Sequence, residues 1–150
     1  MALAEPPAGG AGLHLPGGAQ PALRWAVAID ASGSCRLHLA AFTTEVRVAL
    51  AAGAGRVLVF DATVHTDVVL AANDAETADR LPLRGGDGTA FRPALDAPTA
   101  PDPPDGLVAL TNGLGCVPPT PPGFPVLWVL TPAGQPTAAW AQSVSLPARR

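Results

Sequence analysis

Short apolar runs that end in polar or glycine-containing turns are the dominant pattern along this chain. Such runs are typical of buried strands in a mostly parallel sheet. The third run follows the second through a link too short for a crossover connection, so these two strands must pair antiparallel. The last segment alternates only weakly and predicts an edge strand. The predicted strands cover residues 24–30, 56–61, 64–71, 107–112, 125–130 and 138–146.

Several of the segments between these strands have apolar residues at helical spacing and predict helices. Apolar side chains recur at steps of three and four within residues 37–52, which predicts an amphipathic helix. The residues in question are Leu39, Phe42, Val46 and Leu50. Residues 73–83 predict a single helical turn, and residues 90–96 predict a short helix in which Pro93 is tolerated in the first turn. Proline and aspartate dominate residues 98–105, which predicts a stiff connector.

Strands that alternate with helices indicate an α/β protein, whose mostly parallel sheet carries helices on both faces. Residues 1–23 are rich in Ala, Gly and Pro and show little periodicity, so we expect a flexible leader. One domain is expected over residues 24–147, followed by a short tail over 148–150.

The amino-acid composition then excludes several classes of protein. The chain has 16 glycines and 18 prolines, which raises the question of disorder, but 48% of its residues are hydrophobic and only 14% are charged. Disordered chains show the opposite balance. A net charge of −3 does not indicate the basic surface that nucleic-acid binding requires. No apolar run is long enough to span a bilayer. Neither a signal peptide nor a disulfide scaffold is expected, so we expect a cytoplasmic protein.

Candidate chemistry lies where strands end, because α/β sheets bind ligands at the carboxyl ends of their strands. Three polar loops fall there, at residues 30–34, 88–89 and 111–113. They offer oxygen ligands, which suit Mg²⁺ or Mn²⁺. The serines and the threonine would face the metal, while the aspartate and the asparagine would hold the site from behind, directly or through water. The candidate ligands are Asp30, Ser32, Ser34, Thr89 and Asn112.

Each of these residues also has a structural interpretation. The Asp30–Ser34 segment alternatively forms a strand-to-helix turn in which Ser or Asp caps the helix. Asp61 is interpreted as a turn-forming aspartate, and Asp87 as a loop residue that could reach the metal. Two cysteines, Cys35 and Cys116, follow site loops and so could lie close together. We expect both to be buried, inert thiols, with a redox pair as the alternative.

The histidines and tryptophans do not indicate a further binding site. The spacing of His38 and His65 does not suggest a zinc site. The three tryptophans, Trp25, Trp128 and Trp140, are expected to pack in the core or at the sheet edges.

Four segments together resemble a known family. The stretches VAIDASGS, LPLRGGDGTAFRP, LTNGLG and FPVLWVLT are similar to a bacterial von Willebrand factor A-like (VWA-like) domain, otherwise found fused to a predicted metallopeptidase domain. The resemblance spans roughly Trp25 to Leu146 and includes the Asp-x-Ser-x-Ser pattern of a metal-ion-dependent adhesion site (MIDAS). The peptidase motif His-Glu-x-x-His is absent from this chain, so no protease activity carries over. We expect a Rossmann-like, doubly wound sheet of six strands in the order 3-2-1-4-5-6, with strand 3 antiparallel.

Two departures from the family pattern concern the metal. Asn112 stands where the pattern has aspartate, which keeps an oxygen ligand but loses a charge. Ala90 follows Thr89 where the bacterial family tends to have an acid, and Asp87 could compensate. We therefore expect a metal site of reduced affinity.

The resemblance implies a non-enzymatic, divalent-metal-dependent interaction module. In such sites a partner's carboxylate completes the metal sphere, and bacterial A-like domains commonly work as adaptors beside a MoxR-type AAA+ ATPase. One alternative is a degenerate scaffold that has lost the ion. Another is a Mg²⁺-dependent enzyme of the phosphatase type, but the haloacid-dehalogenase pattern needs an acid where this chain has Ser32, and it commonly uses a lysine, which this chain lacks. A serine hydrolase is disfavoured because no Gly-x-Ser-x-Gly elbow is present.

Overall fold

The computed structural model describes residues 24–53, 55–86, 88–99, 102–136 and 138–148. The predicted leader, Asp87 and the last two residues of the predicted tail lie outside them. The elements are, in chain order, β1 (Trp25–Asp30), a 3-10 helix (Gly33–His38), α1 (Leu39–Ala51), β2 (Gly55–Phe60), β3 (Val64–Leu70), α2 (Ala75–Asp79), α3 (Phe91–Asp96), a second 3-10 helix (Ala97–Thr99), β4 (Gly106–Thr111), β5 (Val126–Leu130) and β6 (Gln142–Ser145).

The six strands form one sheet in the order β3-β2-β1-β4-β5-β6. Only β3 runs antiparallel to its neighbour, and the other pairings are parallel. Strand β1 lies in the middle, with Val27 opposite Val57 of β2 and Val108 of β4. The predicted strand order and the antiparallel third strand are thus confirmed.

Side chains that alternate along β1 define two apolar layers, because successive residues of a strand point to opposite faces. Val27 and Ile29 pack in the layer that α1 covers with Phe42, Val46 and Leu50. Ala26 and Ala28 pack in the opposite layer, which α3 covers with Phe91, Ala94 and Leu95. The helices therefore cover both faces of the sheet, as predicted. Among the described helices, none is both long enough and apolar enough to cross a lipid bilayer.

Two predicted elements are shorter in the structure. Regular α-helix begins only at Leu39, since the preceding turn is a 3-10 helix. The final strand spans Gln142–Ser145 rather than residues 138–146. The indole Nε1–H of Trp140 donates to the Pro118 carbonyl oxygen at 3.0 Å, and the Trp140 ring packs against the core. Because Trp140 packs in this way, the start of the predicted last strand does not pair with β5.

The first strand is fixed at its beginning by a reciprocal contact. The Arg24 backbone N–H donates to Asp105 Oδ2 at 2.7 Å, and the Asp105 N–H donates to the Arg24 carbonyl oxygen at 2.8 Å. These bonds join the start of β1 to the start of β4 at the amino edge of the parallel strands. The candidate site lies at the opposite, carboxyl edge.

Candidate metal-binding site

Asp30 ends the central strand and lies completely buried. Its Oδ1 accepts a hydrogen bond from the Ser32 backbone N–H at 2.9 Å, and its Oδ2 accepts one from the Thr111 hydroxyl at 2.6 Å. The first bond shapes the turn after β1, and the second ties that turn to the end of β4. The carboxylate is therefore fixed from two strands.

The charge of Asp30 has no basic counterpart in the described part of the chain, where its hydrogen-bond donors are neutral. A buried charge is costly unless it is paired or binds a metal. A cation next to the Asp30 carboxylate would offset that cost. The local electrostatics thus favour a positively charged ligand.

Two hydroxyl groups converge beside this carboxylate. Ser32 Oγ lies 3.3 Å from Ser34 Oγ. Ser32 is buried and makes no side-chain capping bond to the following 3-10 helix, so it does not serve as the predicted helix cap. Asp30 performs the turn-forming role instead. The two serine oxygens, with Asp30 behind them, form a compact set of hard donors that fits Mg²⁺ or Mn²⁺.

The glycine-rich loop before α3 packs closely on this turn. A Cβ on Gly85 would overlap the Ala31 carbonyl oxygen, and a Cβ on Gly33 would lie 3.8 Å from the Gly86 oxygen. Only glycine permits this approach at position 85. The glycines that precede the second predicted loop therefore lie against the turn after β1.

Thr89 lies at the end of this loop, next to the loop that follows β4. A Cβ built on Gly115 would lie 2.8 Å from Thr89 Cγ2. The Phe91 backbone N–H donates to the Cys116 carbonyl oxygen at 3.0 Å, which holds the two loops side by side. All three predicted loops thus meet at one edge of the sheet.

Asn112 is buried in the third loop, and its side-chain oxygen has a local role. Its Oδ1 accepts the Leu114 backbone N–H at 3.0 Å. The preceding residue, Thr111, accepts the Gly113 N–H at 3.0 Å while it donates to Asp30. Sequence reasoning placed Thr111 in this loop but assigned it no role. A threonine at the end of a strand next to an acidic strand end is the signal that could have identified it.

Cys35 lies beside the site and is buried, as predicted. Burial and, to a lesser extent, the negative charge of Asp30 together raise the pKa of its thiol to about 12. Cys116 is exposed, so the prediction that both thiols are buried is wrong for this residue. It lies on the surface loop that pairs with Ala90 rather than in either apolar layer. Both cysteines are free.

Asp61 has the structural role that was predicted for it. Its Oδ1 accepts the Thr63 backbone N–H at 3.0 Å, and His65 Nε2 lies 2.8 Å from the same oxygen. Within the described ranges, no group of three or more His, Cys, Asp or Glu side chains could hold a metal. Among the described residues, a metal at the candidate site would therefore depend on neutral hydroxyl and amide oxygens beside the carboxylate of Asp30.

A doubly wound sheet with an Asp-x-Ser-x-Ser turn at the carboxyl end of its central strand defines a VWA-like domain. The chain belongs to the VWA-like domain family DUF2201, whose model matches residues 25–147. No match was found among curated proteins or among solved structures. The family resemblance is thereby confirmed, while the adhesion site and the fusion to a metallopeptidase domain stay predictions.

Proposed function

We propose that this protein is a non-enzymatic adaptor that binds a protein partner in a divalent-metal-dependent way. The observation that carries the proposal is the buried Asp30 carboxylate, which in the described residues is held only by neutral donors and lies beside the paired hydroxyls of Ser32 and Ser34. Membership of the VWA-like family supports a role as a protein-interaction scaffold. Together these observations favour metal-assisted binding over catalysis.

Each chain residue would contribute in a distinct way. Ser32, Ser34 and Thr89 would supply hydroxyl oxygens, while Asp30 and Asn112 would hold the site from behind. When bound, Mg²⁺ or Mn²⁺ would supply an electrophilic position for a carboxylate of the partner. Because the described part of the site offers a single carboxylate, that attraction would be strong but retention of the ion would be weak.

The proposed partner is a MoxR-type AAA+ ATPase. The proposed location of the complex is the cytoplasm. The ATPase follows from the resemblance of this chain to bacterial A-like domains. Two free thiols, Cys35 and Cys116, are consistent with a reducing compartment. Co-purification of the two proteins in Mg²⁺, lost in EDTA, would support the pairing.

The metal proposal is tested by thermal unfolding in EDTA and in millimolar Mg²⁺ or Mn²⁺. At about 100 times its Kd, a ligand stabilises the native state by about 2.7 kcal/mol. We expect the wild type to melt several degrees higher with metal, and Ser34→Ala to lose that shift while keeping its melting temperature in EDTA. Ser143→Ala, on β6 and away from the site, is the matched control and should keep the shift.

Isothermal titration calorimetry with Mn²⁺ gives an independent measure. We expect Asn112→Asp to bind Mn²⁺ more tightly than the wild type, because a second carboxylate adds charge to the site. Absence of any metal effect on the wild type would contradict the proposal and favour a scaffold that has lost its ion. Mg²⁺-dependent turnover of a generic phosphate ester would contradict the non-enzymatic assignment and favour the phosphatase alternative.

A further inference from the structure

The arginines of the described chain fall into two groups. One group forms ion pairs with Asp or Glu and lies away from the candidate site; it consists of Arg24, Arg47, Arg56 and Arg80. The other group, Arg36, Arg84 and Arg92, is exposed and has no ion-pair or hydrogen-bond partner within the described residues. Arginines without partners are available to bind an external anion.

Each unpaired arginine lies next to a predicted site loop. Arg36 follows Ser34 by two positions, Arg84 directly precedes Gly85, and Arg92 is in the first turn of α3 after Thr89. The contacts of Gly85 with Ala31 and of Gly115 with Thr89 bring these loops to one edge of the sheet. The three arginines therefore belong to segments that meet at the same edge of the sheet.

Exposed apolar side chains accompany this positive charge. Leu37, next to Arg36, is 93% exposed, and Leu114, two residues after Asn112, is 55% exposed. We call Arg36, Leu37, Arg84, Arg92 and Leu114 the site rim. Exposed leucines beside a binding site are typical of a surface that a partner covers.

The acidic residues described at this edge form no ion pair with the rim arginines. Asp30 and Asp61 are buried, and Asp96 lies at the far end of α3. Within the described residues, the rim therefore presents three guanidinium groups without ion pairs, although the chain as a whole carries a net charge of −3. Arginine suits carboxylates in particular, because its planar group can donate two parallel hydrogen bonds to them.

We propose that the site rim docks an acidic, leucine-rich segment of a partner protein. This inference rests on the proposed function for its location, since a carboxylate of that segment would complete the metal site. The arginines would bind other carboxylates of the segment. Leu37 and Leu114 would pack against apolar side chains that lie between those carboxylates. The rim thus specifies the chemistry of the partner independently of the metal.

The test measures binding of a short fluorescein-labelled peptide in which Glu alternates with Leu, by fluorescence anisotropy. We expect the double variant Arg36→Gln/Arg84→Gln to bind more weakly than the wild type, by about two- to fivefold for each exposed charge pair lost. Leu37→Ser/Leu114→Ser should weaken binding as well. Two control variants should bind the peptide as the wild type does. Arg47→Gln/Arg80→Gln removes two arginines remote from the rim, and Val69→Ser removes a remote exposed valine.

Two control peptides and two solution conditions separate the possible outcomes. Peptides with Gln for Glu, or with Ser for Leu, should bind more weakly than the parent peptide. If binding persists in EDTA and is lost in the rim variants, the rim is supported and the metal proposal fails. If binding requires Mg²⁺ and the rim variants bind like the wild type, the rim proposal is overturned. It is also overturned if the wild type does not bind the parent peptide.

Discussion

At the scale of single residues, the hydrogen bond between Thr111 and Asp30 joins the candidate site to the sheet. The two residues are 81 positions apart in sequence, and their bond of 2.6 Å is buried. Asp30 could be predicted as a candidate because it ends an apolar strand. The role of Thr111 was not assigned, although the expected strand order placed β4 beside β1, because strand order alone does not specify which side chains form a hydrogen bond.

Replacing this threonine is expected to lower stability. Thr111→Val keeps the shape of the side chain but removes the hydroxyl donor from the buried Asp30 carboxylate. Hydrogen bonds to charged groups contribute about 1.5–3 kcal/mol, so the free energy of unfolding should fall by about that amount. Urea denaturation measures it. Thr111→Ser retains the donor but lacks the methyl group and is the control. A loss in Thr111→Ser with none in Thr111→Val would show that the methyl group, not the hydroxyl, matters.

At the scale of elements, the loops of the site are positioned by close backbone approach rather than by charge. The contact of Gly85 with Ala31 is the clearest example. The sequence showed a glycine-rich loop, but it could not show which glycine packs on which strand end. Core packing of Trp140 was among the predictions, but the sequence did not indicate that this packing would shorten the last strand. Element type was predictable from periodicity, whereas these contacts depend on tertiary packing.

Gly85→Ala is expected to displace the glycine-rich loop from the turn after β1. Its Cβ would overlap the Ala31 oxygen, and such overpacking typically costs about 1–3 kcal/mol. The variant should lose both stability and Mn²⁺ binding, measured by thermal unfolding and calorimetry. Gly123→Ala is the matched control, since a Cβ there meets nothing within 4 Å. Unchanged Mn²⁺ binding in Gly85→Ala would contradict a role for this loop in the site.

At the scale of the whole molecule, the sheet has a protected centre and a weak edge. Strands β1 and β4 are paired on both sides and buried in both layers, whereas β6 pairs only with β5 and is largely exposed. The α/β class was predictable because strands alternate with helices, and the strand order was expected from the family resemblance. Whether the site retains an ion was not predictable, since that depends on donor distances and charge.

Native-state hydrogen exchange should reflect this arrangement. We expect backbone amides of β6 to exchange fastest among the strands, and those of β1 and β4 to exchange only with global unfolding, because few contacts hold the edge strand. Exchange followed by mass spectrometry resolves these segments. Protection of β6 equal to that of β1 would contradict the expectation.

The reciprocal bonds between Arg24 and Asp105 also determine how the molecule can be handled. They fix the point where the chain enters the sheet at the end of β1 remote from Asp30. Six strand residues rise about 20 Å in total, at roughly 3.3 Å per residue. A sensor surface or a dye coupled at Arg24 itself would therefore lie at the opposite edge and leave the carboxyl edge facing solution, where a partner can reach it.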